Sequence, residues 1–329
     1  PDLLSVSNLA AFEYSGDYNV SCFGFADGYV VPSVSGGSFP YSYQWTGPDN
    51  FSSSLSVPTG LTIGEYFITV SDANGCSDVD SIELIGPAEF VITNSLLSQF
   101  SGDYNISCYG LSNGSISIDV YGGDTLNPYN YTWIGPNGFA SNNQNLLLLE
   151  AGAYTLNISD ANSCQIDTTF TLVEPDLLEI SNAVISEYGS FNISCGGETD
   201  GSIDLTINGG DVINGYSILW SDGSTTEDLN NIVAGTYSVN ISDNNYCSVS
   251  ASYILTESTP ITYTSSVVDV VNGCYNDGLY DGAITIDNVT GDNIQFLWSN
   301  GATTASLANI QAGTYTVTIS DMHGCSIVE

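Results

Sequence analysis

Neither lysine nor arginine occurs in the 329 residues, which carry 37 Asp plus Glu and one His for a formal net charge of −37. The acids are at an ordinary level. It is the cations that are missing, where average usage would place dozens. A chain without cations cannot neutralise phosphates, which excludes nucleic-acid binding and electrostatic docking on anionic lipid. Arginine clamps, lysine nucleophiles and salt bridges beyond the N-terminus and His323 go with them. That single imidazole stands in one copy of a loop whose other copies have Asn, so it is neither a recurring base nor part of a triad. No Gly-rich phosphate loop is present, and paired carboxylates are unavoidable in so acidic a chain. No enzyme is expected. No run reaches the roughly 18–20 apolar residues of a membrane span, and no signal peptide opens the chain. It begins with Pro1 in place of Met and so reads as an interior stretch of something longer. Trypsin has no site to cut, so it should leave even the unfolded chain whole on a denaturing gel.

At 42% hydrophobic, the chain has enough apolar residues to bury cores. They are laid out in a fourfold repeat. Proline opens each segment at Pro1, Pro87, Pro175 and Pro260, at periods of 86, 88 and 85. Every segment holds two cysteines with one Trp between them: Trp45, Trp133, Trp220 and Trp298. A Gly-x-Tyr follows, at Tyr66, Tyr154, Tyr237 and Tyr315, and then a Ser-Asp pair ending in Asp72, Asp160, Asp243 or Asp321. Residues alternate before each Trp (Tyr41, Tyr43, Trp45; Tyr216, Ile218, Trp220) and after each Tyr (Tyr66, Ile68, Val70; Tyr237, Val239, Ile241). Period two puts them on one face of a strand, and their bulk marks it as the core face. A third strand follows Asp-Gly or Asn-Gly, as at Ile116, Ile118 and Val120, and ends at a Gly-Gly. Ser/Gly/Asp turns between Tyr14 and Tyr18, Phe100 and Tyr104, and Tyr188 and Phe191 predict an extra hairpin in the first three segments, absent from the shorter fourth. Six or seven short strands in each repeat predict an all-β chain of four tandem immunoglobulin-like β-sandwiches, at 1–86, 87–174, 175–259 and 260–329, the last with its final strand cut short. The junctions have almost no linker and contain Pro, which predicts a semi-rigid rod.

Asp-Gly-x-Ile before a turn, then Trp298-Ser-Asn-Gly-Ala-Thr-Thr, then Ala312-Gly-Thr-Tyr-Thr-Val-Thr-Ile-Ser-Asp-x-x-Gly-Cys resembles the SprB-type repeat of Bacteroidota surface adhesins. Trp220-Ser-Asp-Gly-Ser-Thr-Thr matches as closely. Trp45-Thr-Gly-Pro and Trp133-Ile-Gly-Pro resemble a variant found in the same kind of protein. The resemblance implies export by the type IX route, an extracellular cell-surface location, and a role in surface attachment or gliding motility. Implied partners are further repeats of the same long chain and an external surface or polysaccharide, with lateral self-association as a further option. Neither nucleic acid nor membrane insertion enters.

In such an exported protein, two cysteines per repeat read as one disulfide in each: Cys22 with Cys76, Cys108 with Cys164, Cys195 with Cys247 and Cys274 with Cys325. Their separations of 54, 56, 52 and 51 are far from a zinc knuckle. The Trp and Tyr ladder fits core filling better than a sugar platform, although some of the 21 Tyr must reach the surface. The Asp loops (Asp72 with Asn74, Asp160 with Asn162, Asp243 with Asn245) read as turn caps, calcium being the second reading; no cofactor is expected. Asp-Ser/Thr-apolar triplets mark Ser81, Thr125 and Thr168 as candidate O-glycosylation positions. Together these point to the structural stalk of a large adhesin or filament. The alternatives are a multivalent glycan-binding array and a self-assembling filament or sheath.

Overall fold

The structure, a computed structural model, describes residues 2–269 and 282–329. It is all-β, and every strand pairing is antiparallel. Two compact units, Pro1–Pro175 and Asp176–Glu329, divide the chain. Each holds two pairs of sheets.

The first pair shows the plan. One sheet orders Ser5–Ala11, Gly28–Ser35 and Thr59–Leu61. The other orders Ser52–Ser53, Ser42–Thr46, Gly64–Ser71 and Ser77–Leu84. Lettered along the chain as A, B, C, C′, E, F and G, the sheets are A-B-E and C′-C-F-G, the division of an immunoglobulin-like sandwich. The same order recurs over 88–172, 179–255 and 264–328, and among the described residues C′ is found only in the first two sandwiches.

Two side chains make the core, and each explains a motif. Trp45, Trp133, Trp220 and Trp298 sit on strand C with at most 3% of their surface exposed. Their indole N–H groups donate to the carbonyls of Leu55, Asn143, Thr226 and Thr304 at 2.7–3.0 Å, so burial leaves no donor unpaired. The Gly-x-Tyr tyrosine at the head of strand F reaches back four residues. The hydroxyls of Tyr66, Tyr154, Tyr237 and Tyr315 donate to the carbonyls of Thr62, Glu150, Val233 and Gln311 at 3.0–3.2 Å. This is the tyrosine corner of such sandwiches. Buried apolar residues gather into four clusters, one about each Trp.

The Gly-Gly that ends strand B has a steric reason. Gly36, Gly122 and Gly209 have φ of +68°, +83° and +77°. A Cβ at any of them would overlap the carbonyl of Leu3, Glu89 or Leu177, at or just before the start of strand A.

Burial raises the Tyr131, Tyr154 and Tyr253 phenols above their ordinary value of 10.0. Burial does the same for Tyr129 and Tyr216, helped by the charges of Asp160 and Asp243 respectively. A raised phenol favours the folded state fully below the ordinary value, and that contribution is lost as pH climbs toward the folded value. Stability should therefore decline above about pH 10. Melting temperatures that hold steady from pH 9 to 11, measured with tyrosine ionisation by absorbance, would contradict this.

Candidate functional site

Antiparallel strands give each sandwich two poles. Strand B runs eight residues, so the poles lie roughly 25 Å apart at about 3.3 Å per residue. The A–B connection and the end of strand G lie at one pole, the B–C and F–G loops at the other. The chain therefore leaves one sandwich at its A–B pole and enters the next at the loop pole.

Each pole carries one cysteine. Cys22 follows the hairpin between strands A and B, while Cys76 lies in the F–G loop at the far end. A disulfide requires Cα atoms within about 7 Å, so Cys22 cannot reach Cys76. The expected pairing inside each repeat is wrong. Cys22 bonds Cys164 and Cys195 bonds Cys325, each with Cα atoms 5.6 Å apart. The first cysteine of one segment joins the second cysteine of the next. Cys108 and Cys247 are also disulfide-bonded, whereas Cys76 is a free, exposed thiol. Cys274 lies outside the described residues. Strand alternation shows which face a residue takes but not which pole, and Cys22 stands before the start of strand B, at the pole opposite Cys76.

Around the Cys22–Cys164 bond the sequence builds a plug and a socket. The plug is the predicted hairpin. The Tyr14 N–H donates to the Tyr18 carbonyl at 2.7 Å, and Phe100 and Tyr104 repeat this at 2.8 Å. In the third segment, Tyr188 and Phe191 form a bridge. One asparagine locks each plug to the outgoing chain. Asn19, Asn105 and Asn192 donate their N–H to the carbonyls of Ile85, Val173 and Thr256 at 2.7–2.8 Å. Their side-chain oxygens accept the N–H of those same residues at 3.0–3.1 Å. Past the plug, the Ser21 amide and hydroxyl both donate to Asp27, to which Tyr14 also donates. Burial, with the Asp27 charge second, raises the Tyr14 phenol.

The socket is organised by the recurrent Asp. Asp160 Oδ1 accepts the N–H groups of Asn162 and Cys164, both at 2.9 Å. Its Oδ2 accepts the Asp124 N–H at 2.7 Å and so ties the F–G loop to the B–C loop. Asp72 does the same with Asn74, Cys76 and Ser38, and Asp243 with Asn245, Cys247 and Asp211. Asp321 accepts from His323 and Cys325. These carboxylates cap turns. Among the described residues, no group of three or more His, Cys, Asp or Glu side chains is placed to hold a metal ion.

Plug meets socket through polar groups. The Ser15 N–H donates to Asn162 Oδ1 and the Ser15 carbonyl accepts from Asn162 Nδ2, each at 3.0 Å. Asn127 donates to the Ser15 hydroxyl at 3.3 Å. Gly16, at φ +86°, lies over the buried Asp124, whose Oδ1 a side chain would meet. In the second unit, His323 takes the asparagine's position. Its ring packs edge-on against Phe191 at 5.1 Å, and its Nε2 lies 3.4 Å from Asp292.

The candidate glycosylation positions separate. Ser81 is exposed on strand G and Thr125 is exposed in a loop. Thr168 is half-buried, on the same strand face as Phe170, which packs against the core.

Backbone donors, led by the Ser38 N–H, hold the Asp72 carboxyl below its ordinary range, and the Ser194 side chain does so for Asp200. A lowered carboxyl stabilises the fold above the unfolded value, and the contribution goes as pH falls through the folded one. General repulsion among the acids acts oppositely at milder pH, because the compact state then binds more protons than the expanded chain. Melting temperatures at fixed ionic strength should therefore rise from pH 7 toward 5 and fall below about pH 4. A steady fall from neutrality would contradict the repulsion.

The molecule is thus an array of immunoglobulin-like sandwiches in which one disulfide within each unit staples a sandwich to its neighbour. The model of the SprB repeat matches residues 18–50, 104–138 and 190–225, each match beginning at a plug. No curated protein matches. Among solved structures, the chain is similar to a Ca2+-stabilized adhesin that helps an Antarctic bacterium bind ice. That match has 15% identity over 100% of this chain and 97% of that one, at a TM-score of 0.35. The insect immune protein hemolin matches at 10% identity over 91% and 93%, TM-score 0.27. The human desmocollin-1 ectodomain matches at 12% over 94% and 75%, TM-score 0.23. At these values the sheets themselves carry the fold assignment.

Proposed function

We propose that the chain is a structural stalk within a large extracellular adhesin, built from four sandwiches at 1–86, 87–174, 175–259 and 260–329 and serving surface attachment or gliding. The observation that carries this reading is the staple. A disulfide inside a sandwich limits the extension of that sandwich alone, whereas one between neighbours shortens the load path across both when either opens. The SprB matches support a cell-surface role, and export by the type IX route fits the same reading. Absence of lysine and arginine suits a chain exposed to trypsin-like proteases. External surfaces or polysaccharide would be contacted by the parent protein, with Ser81 and Thr125 as exposed positions for sugars.

The test is made on the cells that produce the protein. Antibody against this chain should label intact cells, and deletion of its coding segment should lower attachment under flow. Labelling only after lysis, or unchanged attachment, would contradict the stalk.

A further inference from the structure

In the first sandwich, the socket is present without a plug. Ser71-Asp72-Ala73-Asn74-Gly75-Cys76 differs at one residue from Ser159-Asp160-Ala161-Asn162-Ser163-Cys164, which holds the Tyr14–Tyr18 plug. Its frame is formed in the same way. Asp72 accepts the Asn74, Cys76 and Ser38 amides at 2.9 Å. Burial is what differs. Cys164 and Cys325, at the equivalent position, are 6% and 5% exposed beneath another segment's plug, whereas residues 73–77 are all exposed and Cys76 is a free thiol. Asn74 is the counterpart of Asn162, which grips Ser15 by both its amide atoms, and its own Nδ2 donates to Ser38 Oγ at 2.7 Å.

We propose that the Asp72–Cys76 loop, with Ser38, is a docking socket for the hairpin plug of another SprB-type repeat, sealed by a disulfide between Cys76 and the cysteine that follows that plug. Two filled sockets in this chain identify the occupant. It is a Ser/Gly-turn hairpin that offers a backbone N–H and C=O to Asn74 and ends in Ser-Cys. The bond forms by exchange with glutathione disulfide. The Cys76 thiolate opens it and releases one glutathione. The incoming thiolate then displaces the second, so two thiols are oxidised and one glutathione disulfide is reduced to two thiols. This inference rests on socket geometry and stands apart from the stalk reading.

The test joins a second copy of residues 1–86 directly ahead of the full chain, oxidised in a glutathione buffer. Digestion without reduction and mass spectrometry should find Cys22 of the added copy linked to Cys76 of the original, with Cys22–Cys164 and Cys195–Cys325 kept. Asn74→Ala in the original should lower the yield of that link. A second fusion, with Cys76→Ser in the added copy, removes any closure of that copy on itself. If the original Cys76 stays free there while the native staples form, the socket does not exist.

Discussion

Pulled from its two ends, the oxidised chain should withhold most of its length until it is reduced. The staples close loops of 142 and 130 residues, so force passes through sulfur and those residues stay slack even when every sandwich has unfolded. At roughly 3.3–3.6 Å per extended residue, reduction should release about 900–980 Å of hidden contour length. Closures within segments, of 54, 56, 52 and 51 residues, would hide only about 700–770 Å by the same measure. Single-molecule extension with and without a reducing agent separates the two. Equal contour lengths would remove the staples altogether. In solution, each staple should add about 5 kcal/mol by the chain-entropy model, an upper value for loops this long.

Asp160→Ala should be among the most damaging single changes that leave the apolar core intact. Asp160 is 3% exposed and accepts three backbone N–H groups, from Asn162, Cys164 and Asp124. Each buried donor left unpaired costs about 1–3 kcal/mol, and partial relaxation makes about 3–5 kcal/mol reasonable for the set. Asp160→Asn keeps one acceptor oxygen and should cost about half as much. Calorimetry of the oxidised chain measures both. Added calcium should rescue neither variant and should not raise the parent's melting temperature beyond matched salt, because the carboxylate is already engaged by the backbone. Under 1 kcal/mol lost in Asp160→Ala would refute the capping role.

Much of this molecule was legible in its sequence because period two reports faces directly. Trp45 and Tyr66, with the alternating residues around them, fell on the core face as read, and the turn between Tyr14 and Tyr18 closed where Ser, Gly and Asp stand. The Asp of each Ser-Asp pair was legible as a turn cap because a short carboxylate reaches the amides two and four residues ahead. Cysteine pairing was not legible. It depends on which end of a strand a residue occupies and on which neighbour that end meets, and alternation carries neither. One signal was available. Ser-Cys directly follows the hairpin and precedes the Asp-Gly or Asn-Gly that starts strand B, which places Cys22 before that strand and so at the pole opposite the F–G loop.

The staples also set an order on oxidative folding. In a chain made from its N-terminus, Cys22 meets Cys76 before Cys164 has been added. Random closure favours the shorter loop, 54 residues against 142, by about fourfold from loop entropy alone. The first sandwich must therefore fold quickly enough to hold its two thiols at opposite poles, and it then waits, reduced, for its successor. Structure forms first and oxidation follows, so a slow-folding variant would be caught as the wrong disulfide isomer.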